Sequence, residues 1–197
     1  WDEVELRPFF KIHHERYTVY LNHQTQTAFL RSPLYASELK TRMIDEATFD
    51  KIDIGVDASE RGRRFKFCND VITGGTVNDY PYRDCQPDHW FEFDMNCEKA
   101  AASIQSARDS VTLLCRFYAP DRGRQCEISI DGEQVARYMV PTNKAVNGKN
   151  KFYDQALQVP AWAIQGKKKI RVRFSARSGY SPKLFYIRLM KNDKSLQ

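Results

Sequence analysis

The chain has 197 residues, 42% of them hydrophobic and 13% aromatic, which is enough apolar surface for one large domain, or a domain plus an appendage, and too much for a disordered chain. Its net charge of +6 would attract nucleic acid, anionic lipid or acidic polysaccharide, but the basic residues are interleaved with Asp and Glu, so no dedicated nucleic-acid surface is expected. No apolar run approaches the roughly 20 residues that cross a bilayer, and no basic-then-apolar leader opens the chain, so neither a membrane span nor an export signal is expected within it.

The chain begins at Trp1 and enters strand-like sequence almost at once, the texture expected of a piece of a longer polypeptide, with any export signal upstream. Residues 1–50 read as a strand and connector from a preceding domain, and residues 51–197 as a separate β-sandwich domain. In PFFKIHHERYTVYL (8–21) the residues alternate as in a strand. His13 and Glu15 would then point to one face and His14 and Arg16 to the other, so the two imidazoles diverge and cannot share one ion. The spacing is also not that of a metalloprotease helix, so the cluster reads as polar scaffold.

Ser32-Pro33 marks the entry to a second segment, 34–50, which reads as a helix or irregular connection with Leu39, Met43 and Ile44 on one side. From about residue 52 the pattern is β. A Gly-rich loop lies between Cys68 and Cys85, and NDYPYRDCQPDHW (78–90) reads as a loop entering a strand. WFEFDMNC (90–97) alternates Phe91, Phe93, Met95 and Cys97 against Trp90, Glu92, Asp94 and Asn96, as a strand with one buried and one wet face does. VTLLCRFYAP (111–120) is more continuously apolar, which suits a strand covered on both sides. Asp131-Gly132 between two strand-like runs predicts a tight hairpin, because these residues accept the positive φ angles of a type I′ turn. KFYDQALQVP (151–160) is another strand, stopped by Pro160; AWAIQGKK is a short turn; KIRVRFSAR (169–177) and KLFYIRLMK (183–191) complete the set. Lys167-Lys168-Lys169, the one dense basic run, falls at the turn before the first of these.

Six or seven short strands without helices between them exclude a parallel sheet with crossover helices. The fold class expected is all-β: an antiparallel two-sheet β-sandwich of jelly-roll or galactose-binding-like type, with an N-terminal extended segment and a short helical connector.

Sugars are held by aromatic faces stacked on the ring and planar polar groups bonded to hydroxyls, and loops at one end of a sandwich can display both. The 78–90 segment holds these residue types, so the candidate carbohydrate-binding residues are Tyr80, Tyr82 and Trp90 for stacking and Arg83, Asp84 and His89 for polar contacts. The plainer role is that these aromatics close the core while Arg83 and Asp84 bond backbone or each other. Asp79, Asp84, Asp88, Glu92 and Asp94 offer carboxylate pairs of the kind a glycosidase sets about 5 to 9 Å apart, though wet strand faces explain Glu92 and Asp94 equally well. Arg122 and Arg124 around Gly123 would hold an acidic sugar or solvate a turn.

The five cysteines, Cys68, Cys85, Cys97, Cys115 and Cys126, are an odd number without CxxC pairing, so zinc-ribbon and thioredoxin chemistry are excluded. Cys97 and Cys115 read as small buried hydrophobes, while Cys68 and Cys85 are placed where a bridge is possible. Phosphate-binding glycine loops, nucleophile elbows and EF-hand loops are absent from the sequence, and no metal, cofactor or catalytic residue is expected.

LRPFFKIHHERYTVYL resembles the Pro-Phe-aromatic-x-Ile-His-x-x-Arg-Tyr-x-x-Tyr segment that closes the catalytic portion of family 127 glycoside hydrolases, the β-L-arabinofuranosidase family, at Pro8, Phe9, Phe10, Ile12, His13, Arg16, Tyr17 and Tyr20. TRMIDEATFDKIDIG is similar to the connector that follows there, and YPYRDCQPDHWFEFDM, DRGRQCEISIDGEQVA, KFYDQALQVPAWAIQGKKKIRVRFSAR and LFYIRLMK resemble its C-terminal β-sandwich. The resemblance implies a catalytic apparatus elsewhere: a cysteine nucleophile on zinc inside a helical barrel upstream of the matched region. It assigns no catalytic or zinc role to the five cysteines here. The function it implies is a non-catalytic C-terminal module of a larger secreted or periplasmic enzyme, binding oligosaccharide or polysaccharide or bracing the upstream catalytic domain. The alternative is a free-standing sandwich glycosidase or esterase.

Overall fold

The computed structural model describes residues 30–68, 73–143 and 151–192. The His13-His14-Glu15 cluster lies outside the described residues. The chain divides into two compact units, Trp1–Leu39 and Lys40–Gln197, and the sandwich lies in the second.

Helix α1 (Pro33–Ala47) starts where the sequence places its entry, with Pro33 in the first turn, where a missing N–H costs nothing. The Ser32 hydroxyl accepts the Tyr35 amide at 3.1 Å, as an N-cap does. Met43 and Ile44 are half-buried, whereas Leu39, one turn earlier, is exposed.

Strands follow in the order β1 (Thr48–Asp53), β2 (Lys66–Phe67), β3 (Thr73–Val77), β4 (Tyr80–Asp84), β5 (Trp90–Asn96), β6 (Ser110–Tyr118), β7 (Gln125–Ile130), β8 (Glu133–Met139), β9 (Phe152–Pro160), β10 (Lys169–Ser175) and β11 (Leu184–Lys191). Short helices α2 (Asp57–Glu60), α3 (Glu98–Ala102) and α4 (Ala161–Ile164) sit between them. One sheet has the order β3-β4-β11-β6-β9, with β1 also paired to β11; the other has the order β2-β5-β10-β7-β8. Their registers are antiparallel. From β5 onward the chain changes sheet at every connection except the β7–β8 hairpin, so the two-sheet antiparallel sandwich expected from the strand pattern is the fold observed.

The core lies between the sheets. Phe93, Met95, Ile128 and Val172 of the second sheet, each 0% exposed, face Ile52, Leu113, Phe117 and Ile187 of the first, also at 0%. Packing both inner faces against each other is what hides the period-two apolar sets of β5 and β10 from water. The β7–β8 turn has Asp131 at φ 52° and Gly132 at φ 93°, the positive pair that a type I′ hairpin demands.

Four strands were not legible as such. β3 and β4 form a hairpin in what reads as a Gly-rich loop. The glycine is used for closeness: a Cβ on Gly74 would sit 2.7 Å from the Tyr82 carbonyl oxygen, a contact no side chain accepts. β1 begins inside the segment assigned to the connector, and β2 is two residues long. AWAIQGKK, read as a turn, includes the helical turn α4.

All five cysteines are free, so Cys68 and Cys85 make no bridge. The Cys85 Sγ lies in the core 3.9 Å from the Phe174 carbonyl oxygen, whereas Cys68 follows the edge strand β2. Cys97 and Cys115 are fully buried, as expected of small hydrophobes.

Candidate functional site

A groove of about 380 Å3 opens on the outer face of the first sheet. It arises from a break in the regular alternation of β11. Leu184 opposes Phe117 and Tyr186 opposes Arg116, so Phe185 is an extra residue between them, and the register shifts at that point. This β-bulge leaves Leu184 in the inner core and sends Phe185 and Tyr186 together to the outer side, where both line the groove. A regular strand would have sent one of them inward.

The neighbouring strands complete the surface. On β6 the outward residues Leu114, Arg116 and Tyr118 oppose Ala156, Asp154 and Phe152 of β9. Phe152 meets the Phe185 ring at 4.7 Å and 61°, and Tyr80 of β4 meets Phe152 edge-on at 5.3 Å. Arg116 donates from Nε and Nη2 to the two Asp154 oxygens at 2.8 and 3.0 Å, and its guanidinium lies 4.5 Å over the Tyr186 ring. Burial opposes the charge on Arg116, but its hydrogen bonds to Asp154 and the charge there outweigh burial and raise its pKa above the ordinary value. Burial raises the pKa of the Tyr186 phenol, an effect to which the Asp154 charge adds. Lys51 and Asp53 of β1, ion-paired at 2.8 Å, and Thr41 and Ile44 of α1 form another wall. Arg188 is anchored there by Asp45 and by the Thr48 hydroxyl at 3.3 Å.

The groove therefore combines several ring faces and edges with a planar guanidinium–carboxylate pair held in one orientation by two hydrogen bonds and an aromatic floor. Such a surface can stack on the apolar side of a ring and offer donors and acceptors to neighbouring hydroxyls at the same time.

The six residues singled out in the sequence do not meet at one point. Tyr80, 52% exposed, stands in the groove, and Tyr82, at an alternate position of β4, packs its ring 5.8 Å from Phe185 of the groove lining. Arg83 points to the other side of the strand, where its Nε and Nη2 donate to Glu60 at 3.0 and 2.7 Å. Asp84 is buried and paired with Arg124 at 3.4 Å. His89 Nδ1 lies 2.7 Å from the Pro87 carbonyl oxygen in the loop before β5. Trp90 belongs to the second sheet, with the Arg173 guanidinium 4.0 Å over its ring.

Arg116, Phe152, Asp154, Phe185 and Tyr186 were missed by sequence reasoning because they come from three strands whose pairing is not local. The available signal was Arg116, one charge inside the apolar run 111–118, with Asp154 at an alternating position of its partner strand. Glu92 and Asp94, read as solvated, are buried at 2% and 8% exposure beneath Arg171 and Arg173, so theirs is not a wet face in the sense expected. Among the described residues no three His, Cys, Asp or Glu side chains gather as a metal-binding group, and no helix is long and apolar enough to cross a membrane.

Fold and groove together define an antiparallel β-sandwich with a ring-lined cleft on one outer face. Residues 43–190 match the family described as a family of unknown function, DUF6805, and the chain belongs to that family. No curated protein matches the chain. Solved structures of similar outline include a family 35 carbohydrate-binding module from Clostridium thermocellum, at TM-score 0.46 and 12% identity, covering 72% of this chain and 98% of that one. Another is the carbohydrate-binding module of Cellvibrio mixtus lichenase 5A in complex with cellotriose, at TM-score 0.46 and 12% identity, covering 74% and 99%. A third is an exo-β-1,3-galactanase from Phanerochaete chrysosporium with β-1,3-galactotriose, at TM-score 0.46 and 14% identity; the match covers 73% of this chain but only 29% of that enzyme.

Proposed function

We propose that the sandwich is a non-catalytic carbohydrate-binding module and that the groove on the outer face of the first sheet is its binding site. The supporting observation is the joint placement of Tyr80, Phe152, Phe185 and Tyr186 around the fixed Arg116–Asp154 pair. Ring faces supply apolar area, the guanidinium supplies donors, and the carboxylate supplies acceptors, which is the complement of a sugar residue. Of the residues named from the sequence, Tyr80 is the stacking residue, and Tyr82 backs Phe185 of the lining.

In this reading the module serves a larger secreted or periplasmic glycoside hydrolase, raising the effective concentration of glycan near a catalytic domain on the same polypeptide. An arabinofuranosidase-like parent rests on the sequence resemblance, since the matched family carries no assigned function. The alternative of a free-standing glycosidase has less support. A general acid needs a carboxyl group kept protonated by its surroundings, whereas the groove carboxylates Asp154 and Asp53 are each paired with a cation, Arg116 and Lys51.

The test is calorimetric titration of the chain with arabinose-containing oligosaccharides, preceded by a glycan array to choose among them. Binding by the wild type that is lost in Tyr80→Ala, with an unchanged unfolding midpoint, is the expected result. No array signal and no heat for the wild type would remove the binding role and leave a structural brace.

A further inference from the structure

The outer face of the second sheet carries a separate depression of about 540 Å3, on the opposite side of the sandwich from the groove. Its charges are layered. The Glu92 and Asp94 side chains are 3% and 11% exposed, while Arg171, Arg173 and Arg64 above them are 31%, 37% and 73% exposed.

Each carboxylate is already engaged. Glu92 accepts Arg173 Nε at 2.8 Å and lies 3.5 Å from Arg171 Nη1. Asp94 accepts Arg171 Nε at 2.9 Å. At the β7–β8 turn, Asp131 accepts the Arg171 amide at 2.8 Å and Lys167 Nζ at 2.7 Å. The anions thus anchor the cations from below, and solvent meets the cations. Lys169 has no ion-pair partner among the described residues, and Arg64 approaches Asp94 only at 3.7 Å.

Lys169, Arg171 and Arg173 occupy alternate positions of β10, so they form a row on one face with a repeat of about 7 Å. A row of regularly spaced cations suits a chain with repeating negative charge better than a single small anion. The face gives little to nucleobases, because the Arg173 guanidinium lies 4.0 Å over the Trp90 ring and already occupies one of its stacking faces.

We propose that this face binds an acidic polysaccharide, with Lys169, Arg171, Arg173 and Arg64 pairing with its successive carboxylate or sulfate groups. The net charge of +6 favours the encounter and makes it sensitive to salt. Arg171 and Arg173 are held in place by Glu92 and Asp94, so little side-chain freedom is lost on binding.

The proposal is tested by affinity electrophoresis of the whole chain in gels containing polygalacturonate, dextran sulfate or single-stranded DNA, at low and high salt. The variant is Arg64→Ser with Lys169→Ser, which leaves the buried pairs of Glu92 and Asp94 with Arg171 and Arg173 intact. Retention at low salt by at least one polysaccharide, weakened about tenfold by the double substitution and unaffected by Tyr80→Ala, is expected. Retention by polygalacturonate alone assigns carboxylates, and by dextran sulfate alone, sulfate esters. Three results would overturn the proposal: no retention by either polysaccharide, unchanged affinity of the double variant, or tighter retention by DNA. Because Tyr80 is remote from this face, failure of glycan binding in the groove and failure here are read separately.

Discussion

Arg83 and Glu60 form a bidentate pair at 3.0 and 2.7 Å, with side chains only 15% and 6% exposed, and the guanidinium lies 4.6 Å over the Phe65 ring. Glu60 also accepts the Gly55 amide at 2.6 Å, so this one carboxylate fixes both the start of α2 and the inner side of β4. The outward display of Tyr80 and Tyr82 depends on that anchorage, because Arg83 alternates with them along the strand.

Removing one partner strands the other charge in a site with little water. Arg83→Met is expected to cost about 3 to 5 kcal/mol in urea unfolding, with Glu60→Gln added to it recovering part of the loss. A cost below about 1 kcal/mol would show that the pair is not buried as described.

Gly132 separates backbone from packing effects. It has φ 93°, and a Cβ there would meet nothing within 4 Å. Gly132→Ala should therefore destabilise by about 1 kcal/mol through conformation alone, measured as a shifted unfolding midpoint at unchanged slope. Gly74→Ala, where the Cβ would press on the Tyr82 carbonyl, should cost more, and the reverse order would contradict the β3–β4 register.

Alkaline pH should weaken the fold. Burial pushes the Cys85 and Cys97 thiols from 9.0 up to about 11, and burial also raises those of Cys115 and Cys126. Between the two values the unfolded chain releases these protons while the folded chain keeps them. Stability is therefore constant in this respect below about pH 9 and falls as pH rises towards about 11. Unfolding curves across that window should show the slope, and Cys85→Ala should reduce it. Iodoacetamide should label half-buried Cys68 before the other four in native protein.

The groove depends on the fork geometry of Arg116 as well as its charge. Arg116→Lys keeps the cation but cannot make both bonds to Asp154 or lie flat on Tyr186, so glycan affinity should fall about tenfold with little loss of stability. Equal affinities for the two proteins would place the binding elsewhere.

Much of the sandwich was legible because local chemistry and final environment agree. The alternation Phe91, Phe93, Met95 in β5 and Ile170, Val172, Phe174 in β10 marks inward faces, and Asp131-Gly132 marks its turn. β3 and β4 were hidden because Gly74, Gly75 and Pro81 are loop residues by propensity, and only the close approach of the two backbones explains Gly74. Trp90 and Tyr80 looked like neighbours in one segment of sequence, but their strands belong to different sheets.

What the amino-acid order determined alone was the β class, the antiparallel two-layer plan and the residues of the inner faces, since side-chain period and turn conformation are properties of a few consecutive residues. The groove was decided by tertiary structure. It needs β6 to pair with β9 through Arg116 and Asp154, 38 residues apart, and it needs one extra residue in β11 to turn Phe185 outward beside Tyr186. Pairing partners and bulges are set by the energy of the whole sheet, which no local window of sequence contains.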